Sequence, residues 1–455
     1  MGVARRYFGT DGIRGVFGTE PMTPGFAFAA GAALGRWLVR HHPEPAVIVG
    51  RDTRASGSLL EQALATGLDQ AGAHVELIGV VPTAAVSVAV LARGASAGVM
   101  ISASHNPYPD NGIKFFGSNG SKLPDVMEAE LELLIDAELS ASPPGWSFPL
   151  SSSMEAAPWA LRLYREALER SLPENFSLNG MRIVVDGANG AAWHSAPYIL
   201  RSFGAQVEAI HCAPNGTNIN EGCGSQDIAG LKQAVKDRGP SWVGLAVDGD
   251  ADRAVLIDED GTPLDGDDLL AILGTARQAA GTLTGNRVVA TVMSNGGLAQ
   301  ALEQVGVTLE RTDVGDRYVL ERMEATGAVL GGEQSGHILF RDIMPTGDGL
   351  LTALHVLQVS VASGKPLKEL RKVLVKFPQV LVSLKVKRKT PLNELPELLA
   401  AVRDVESRLQ CLGRVHLRYS GTEPKIRLLL EGPPEADLES LSEIILKPLR
   451  NQLCS

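Results

Sequence analysis

Arg182-Ile183-Val184-Val185 runs directly into Asp186-Gly187-Ala188-Asn189-Gly190 and then into a helical pattern. A short β-branched apolar run fits a buried strand. The Gly- and Asn-containing segment behind it fits the turn that hands a strand to a helix. The same grammar stands at residues 46–50 (AVIVG), ahead of Arg51-Asp52-Thr53-Arg54, with Ser56 placed to cap the next helix. It stands again at residues 288–292, ahead of Met293-Ser294-Asn295-Gly296-Gly297. Residues 74–79 and 97–101 read as further buried strands. Strands alternating with helices predict α/β units on mixed or parallel sheets. Three strand–polar loop–helix units suggest three related domains.

Past residue 364 the pattern changes. Strands are expected at 380–386, 415–419 and 426–431, and helices at 392–409 and 438–453, which together make a smaller α+β domain. The Pro- and Ser-rich stretches 141–145 and 151–153 read as a linker. The 455 residues, at roughly 150 per domain, leave room for three domains or four. The expected division is 1–150, 151–253, 254–368 and 369–455.

Hydrophobic residues make up 44% and charged residues 21%, ordinary globular usage that argues against bulk disorder. Against 42 Lys and Arg stand 52 Asp and Glu, a net charge of −10. Spread evenly, that charge repels nucleic acid. A phosphorylated ligand would need cations gathered at one place. Cys212, Cys223, Cys411 and Cys454 include no C-x-x-C pair, so neither a zinc ribbon nor a dithiol redox motif is indicated. Scattered thiols fit a reducing cytosol. No apolar segment follows Arg5-Arg6, and Arg6 breaks the myristoylation pattern. The longest weakly charged stretch, 77–92, contains Pro82 and is shorter than the ~20 residues of a spanning helix. A soluble cytoplasmic protein is expected.

Five loops carry chemistry. The first is Val247-Asp248-Gly249-Asp250-Ala251-Asp252-Arg253, behind the apolar run 243–247. In an extended strand rising ~3.4 Å per residue, its outer carboxylates would stand about 13 Å apart, too far for one ion. The segment is therefore expected to curl, which Gly249 permits. Curled, it offers hard oxygens that suit Mg²⁺ or Ca²⁺ better than Zn²⁺. A solvated acidic turn and a phosphatase with an Asp nucleophile stay open as alternatives. An EF-hand is disfavoured, because Glu259 falls at its twelfth position but Arg253 occupies the sixth, where Gly is required.

The second loop is Ile101-Ser102-Ala103-Ser104-His105-Asn106-Pro107, followed by Asp110-Asn111-Gly112-Ile113-Lys114. It is either an ordinary turn or a hydroxyl nucleophile with a His and a Lys for proton transfer. The third is Arg418-Tyr419-Ser420-Gly421-Thr422-Glu423-Pro424-Lys425-Ile426-Arg427. Its Arg forks, hydroxyls and bare backbone N–H groups suit a phosphate dianion, and a plain hairpin with exposed cations is the bland alternative. In Gly331-Gly332-Glu333-Gln334-Ser335-Gly336-His337 the polar groups can hydrogen-bond several hydroxyls. Phe8-Gly9-Thr10-Asp11-Gly12-Ile13-Arg14-Gly15 is a Gly-rich loop with one Arg.

As a set, over residues 8–427, these loops resemble the α-D-phosphohexomutase family. Residues 214–220 with Cys223-Gly224-Ser225, 291–295, 314–319 and 346–351 fit best the members that act on glucosamine phosphates. Three departures stand out. Ala251 replaces a commoner Gly, Gly296 follows Asn295 where Leu is usual, and Tyr419 and Lys425 are closer to the phosphomannomutase pattern.

The resemblance implies three related mixed α/β-sheet domains plus a smaller C-terminal α+β domain, arranged around a central cleft. It implies an isomerase that carries Ser104 as phosphoserine and passes the phosphoryl group to a hexosamine monophosphate through a 1,6-bisphosphate. Asp248, Asp250, Asp252 and an oxygen of phosphorylated Ser104 would hold one Mg²⁺. Arg14 and Arg253 would steady charge, and His105, Lys114 and His337 would move protons. Glu333, Ser335 and Gly336 would hold the ring hydroxyls. Arg418, Ser420, Gly421, Thr422 and Arg427 would grip the phosphate that is not reacting. Glucosamine or glucose 1,6-bisphosphate is the implied activator, no nucleic acid or membrane partner is implied, and a homodimer is allowed.

Overall fold

The computed structural model describes residues 6–9, 11–141, 154–409, 413–419 and 424–454. The chain forms two compact units, one of Met1–Met293 with Leu309–Lys372, the other of Ser294–Thr308 with Val373–Ser455.

The first unit holds three sheets. The first contains β1 (Phe8–Gly9), β2 (Gly12–Val16), β3 (Ala46–Arg51), β4 (His74–Val80), β5 (Ala97–Ile101) and β6 (Asp110–Gly117), in the order β1-β2-β6-β5-β3-β4. The second contains β7 (Arg182–Asp186), β8 (Gln206–Ile210), β9 (Trp242–Val247), β10 (Ala254–Ile257) and β11 (Pro263–Leu264), in the order β11-β10-β9-β7-β8. The third contains β12 (Arg287–Thr291), β13 (Thr308–Thr312), β14 (Leu330–Gly332) and β15 (Ile338–Phe340), in the order β13-β12-β14-β15.

Each sheet repeats one device. A parallel pair is followed by an antiparallel return: β3 and β5 then β6, β7 and β9 then β10, β12 and β14 then β15. The connection after the second parallel strand carries Ser104 in the first sheet, Asp248–Arg253 in the second and Glu333–His337 in the third. The repeated grammar of the sequence is thus a repeated fold, and it delivers three of the five chemical loops at one topological address.

Local chemistry explains the element ends. Pro24 opens the helix Pro24–His41, and Thr23 Oγ1 accepts the Phe26 N–H at 3.2 Å. Asp265 and Asp268 form a capping box on Gly266–Ala279. Ser56 does precede Gly57–Gln70 but makes no cap bond. Its hydroxyl accepts Asn111 Nδ2 at 2.8 Å instead. Residues 74–79 form a strand at the sheet edge, half exposed rather than buried. The second sheet runs past residue 253 to Leu264, so a boundary at 253 cuts through it. The acidic segment turns inside that sheet and does not end it.

The second unit builds β16 (Gln379–Lys385), β17 (Arg414–Tyr419) and β18 (Lys425–Glu431) into an antiparallel sheet with β18 central. Leu398 and Val405 of the helix Pro396–Arg408, and Ile445 and Leu449 of Leu438–Leu449, cover Ile426, Leu428 and Leu430. The expected helix over 392–409 starts at Pro396, because proline suits the first helical position. Asn295 ties the helix Gly296–Glu303 into this unit by accepting the Phe377 N–H at 2.8 Å, so the unit begins with a segment the sequence assigned to the third domain.

Candidate active site

Ser104 is fully buried with φ of 52°, a left-handed conformation uncommon outside glycine. Its neighbours hold it there. The Ser104 N–H donates to Ser102 Oγ at 2.9 Å, and Ser102 Oγ donates to Asp52 Oδ2 at 2.6 Å. Arg54 donates from Nε to the same Asp52 oxygen at 2.9 Å. Its remaining donors reach the carbonyls of Ser104 (3.0 Å), Asn106 (2.8 Å), Pro107 (2.6 Å) and Asp110 (3.0 Å). From the second sheet, Asn220 Nδ2 donates to the carbonyls of Ser104 at 2.9 Å and Asn106 at 3.0 Å. The whole loop is clamped by two side chains. Arg54→Ala would take the charged partner from buried Asp52 and one donor from each of four carbonyls in a dry site. It is expected to destabilise the first unit by about 3–5 kcal/mol, seen as a lower urea midpoint. A variant within about 1 kcal/mol of the parent would show that the clamp carries little.

The clamp aims Ser104 at the second sheet, where its Oγ donates to Asp248 Oδ2 at 2.6 Å. The acidic segment curls as expected, but not at Gly249. Ala251 takes the left-handed turn, with φ of 61° and its N–H on the Asp248 carbonyl at 3.0 Å. Gly249 serves a different purpose, since a Cβ there would lie 2.4 Å from the Ser104 carbonyl oxygen. Only glycine lets the two loops approach this closely. The curl brings one oxygen each of Asp248, Asp250 and Asp252 within 4.8 Å of one another, all buried.

Cations surround the trio. Lys114 on β6 is buried and places Nζ 2.7 Å from Asp250 Oδ2, 3.2 Å from Asp252 Oδ2 and 3.0 Å from Asp11 Oδ2. Thr83 Oγ1 also donates to Asp250 Oδ2, at 2.7 Å. Arg253 Nε stands 3.9 Å from Asp248 and 3.7 Å from Asp252. Arg14 pairs with Asp11. Asp250 Oδ1 is buried with no hydrogen-bond partner among the described residues, and Asp252 Oδ1 faces only the long contacts of Arg253 Nε and His337 Nδ1, at 3.7 and 3.5 Å. An unbonded buried carboxylate oxygen beside two other carboxylates fits a hard divalent cation.

Electrostatics separates the members. Burial pushes Asp248 well above the usual carboxylate range, and Asp252 and Asp250 add to the push. Burial acts the same way on Asp252, but Lys114 and His337 outweigh it and hold that carboxyl well below the range. Lys114 is disfavoured by burial, yet Asp11, Asp250 and Asp252 raise it well above an ordinary lysine. His105 Nδ1 lies 3.4 Å from Ser104 Oγ, and burial, with Arg253 and Arg14, pushes this histidine down to about 4. It is neutral near pH 7.

The third sheet brings its loop to the same place. Gly336 accepts the Ala254 N–H at 3.1 Å, directly after the acidic loop. His337 is buried, with Nδ1 3.5 Å from Asp252 and Nε2 3.6 Å from Asp316. Despite burial, those two carboxylates raise it to about 9. Glu333 Oε1 accepts the Gly315 N–H at 3.1 Å, and Ser335 Oγ is buried with no partner among the described residues. Lys122 bridges Asp11 and Asp316, joining first sheet to third.

Of the expected residues, Ser104, His105, Lys114, Arg14, Arg253, His337, Asp248, Asp250 and Asp252 are linked by these contacts. Arg418 and Arg427 stand opposite each other across β17 and β18 in the second unit. Ser420, Gly421 and Thr422 lie outside the described residues. Asp52, Arg54, Thr83, Lys122, Asn220 and Asp316 were not singled out as site residues. Arg51-Asp52-Thr53-Arg54 did offer a signal, as the polar turn in the same position as Asp186–Gly190. Glu259 binds the N–H groups of Leu367 and Lys368 at 3.0 Å each, which removes it from any calcium loop.

Sequence profiles of all four phosphoglucomutase/phosphomannomutase domains match: domain I over residues 5–142, domain II over 163–261, domain III over 265–377 and the C-terminal domain over 357–447. The chain belongs to this family. It is a phosphohexomutase, and thus an isomerase. The phosphoglucosamine mutase of Brevibacillus brevis is 46% identical over 450 residues, covering 98% of this chain and 99% of that one. That of Deinococcus radiodurans is 46% identical over 443 residues, with 97% of each covered. Among solved structures, a phosphoglucomutase/phosphomannomutase family protein of Burkholderia thailandensis superposes with a TM-score of 0.78 at 23% identity, covering 97% of both chains. That likeness speaks to the fold. Among the described residues no helix is long and apolar enough to cross a membrane.

Proposed function

We propose that this phosphohexomutase interconverts glucosamine 6-phosphate and glucosamine 1-phosphate in the cytoplasm, supplying UDP-N-acetylglucosamine and cell-wall precursor synthesis. The observation that carries the reading is the aim of Ser104 Oγ into the buried Asp248–Asp250–Asp252 trio, in a chain 46% identical to phosphoglucosamine mutases along nearly its whole length.

Ser104 carries the phosphoryl group as phosphoserine. The free hydroxyl of the sugar phosphate attacks phosphorus and the P–O bond to Ser104 breaks. The hydroxyl proton passes to a base, and Ser104 Oγ regains a proton. The product is the 1,6-bisphosphate, which turns around and returns its other phosphoryl group by the same step. Asp248, Asp250 and Asp252, with a phosphoserine oxygen, would hold Mg²⁺. That ion would neutralise charge on the transferring group. Arg14 and Arg253 add fixed positive charge. Neutral His105 beside Oγ suits a base, while Lys114 and His337, both held protonated by carboxylates, suit acids. Glu333, Ser335 and Gly336 hold ring hydroxyls, and Arg418, Ser420, Gly421, Thr422 and Arg427 hold the idle phosphate. A clamp on phosphate and hydroxyls, rather than an asymmetric pocket, serves a substrate that must bind both ways round.

Tyr419 and Lys425 favour a second reading, a phosphomannomutase or phosphoglucomutase. A substrate panel separates the two. With glucose 1,6-bisphosphate as activator, kcat/KM for glucosamine phosphate should exceed that for glucose and mannose phosphates by at least about tenfold. Equal or lower efficiency on the amino sugar would remove the glucosamine assignment and leave the mutase.

A further inference from the structure

The second sheet gathers another set of donor atoms, apart from the acidic loop. Asp186 closes β7, His211 follows β8, and Cys223 stands in the loop that leads on towards β9. A carboxylate oxygen, a ring nitrogen and the sulfur lie within 4.8 Å of one another. Asp186 and Cys223 are fully buried, while the His211 side chain is 33% exposed and opens the group to solvent. His211 Nδ1 lies 2.9 Å from Asp186 Oδ2. None of these residues takes part in the phosphoryl-transfer site.

A Cys–His–Asp set has two chemical readings. As a nucleophile with its base, it would need a reachable thiolate. Cys223 has no exposed surface, and burial pushes its thiol up to about 12. As a metal site, the mixture of one sulfur, one nitrogen and one oxygen suits a borderline-soft ion and suits Mg²⁺ poorly. We infer that Asp186, His211 and Cys223 form a binding site for a thiophilic divalent cation of the zinc type, distinct from the all-oxygen site at Asp248. On binding, the S–H bond of Cys223 breaks, its proton leaves to solvent and a sulfur–metal bond forms, with no change of oxidation state. His211 supplies a neutral ring nitrogen, and a fourth position stays open to solvent.

The site lies behind the phosphoserine clamp. Asn220, three residues before Cys223, donates its N–H to the Ala188 carbonyl at 2.9 Å, and its side chain holds Ser104. An ion here would tie together the two loops that keep Asn220 in place.

Cadmium is the probe. Chelator-treated full-length protein, in excess Mg²⁺ to satisfy the oxygen site, is titrated with Cd²⁺ while thiolate-to-cadmium charge-transfer absorption is followed in the ultraviolet. One equivalent should give a band that survives Cys212→Ser and the double change Cys411→Ser/Cys454→Ser, and disappears in Cys223→Ser. His211→Gln should weaken Cd²⁺ binding by at least about tenfold. No band in the parent, a band that persists without Cys223, or unchanged affinity in His211→Gln would each overturn the site. If Cys223→Ser fails to fold, the His211 variant decides alone, since that side chain is partly exposed. The mutase reading stands or falls separately, because substrate turnover is not measured.

Discussion

Ser104→Ala should leave the chain folded and lower kcat by at least about 10³-fold. The folded state is protected because the clamp does not use the hydroxyl. Arg54 and Asn220 bind the Ser104 carbonyl, and Ser102 binds its N–H. The bond to Asp248 Oδ2 and the longer contact with His105 Nδ1 are what is lost. Chemistry is not protected, because the hydroxyl aimed at Asp248 is the one proposed to carry the phosphoryl group. The sugar would have to exchange phosphoryl groups without a covalent carrier. Intact-mass measurement should give the companion result: a fractional phosphate on Ser104 of the parent that grows with glucose 1,6-bisphosphate, and none on the variant. A variant retaining most of the parent rate would move the reading to a phosphatase with an Asp nucleophile.

Asp250→Asn is the second large effect, a loss of about 10²–10³-fold in kcat. One oxygen of Asp250 receives Lys114 and Thr83, both at 2.7 Å, and the other is buried without a hydrogen-bond partner among the described residues. The carboxamide can keep its carbonyl on Lys114 and Thr83, so the packing survives. It then points an NH₂ donor where a cation needs an acceptor. The parent should be silenced by chelator and restored by Mg²⁺, while the variant should stay slow at any Mg²⁺ concentration. Matching Mg²⁺ dependence in the two proteins would dismiss Asp250 as a ligand.

Much of the site was legible because its residues are close in sequence. Asp248, Asp250 and Asp252 mark a candidate ion site by their spacing, which can serve one ion only if the chain curls, and an acidic turn stayed open beside that reading. Where it curls was not legible. The general rule favours Gly249, but the close approach of the Ser104 loop needs that glycine for itself and leaves the left-handed turn to Ala251. The clamp was hidden for a similar reason. Arg54 acts 50 or more residues away, on Ser104, Asn106, Pro107 and Asp110. Asn220 acts 116 residues away on Ser104. No periodicity encodes such distances. Ser56 shows the limit of a local rule, because a tertiary partner, Asn111, took the hydroxyl that capping would have used. The strand grammar worked better, since each β-branched run before a polar turn became the first parallel strand of a sheet. It missed the half-exposed edge position of β4, which sheet order alone decides.

The proposed nucleophile, ion ligands and sugar ligands all sit between antiparallel neighbours, in the connections that follow the second parallel strand of three sheets. These connections are themselves buried, with Ala103, Ser104, Asp248, Asp250 and Ala251 almost without exposure, so a substitution there changes chemistry and packing together. Residues 333–337, proposed to hold the sugar, occupy a connection of their own in the third sheet, so the contacts proposed for the sugar are encoded apart from the serine and the carboxylates.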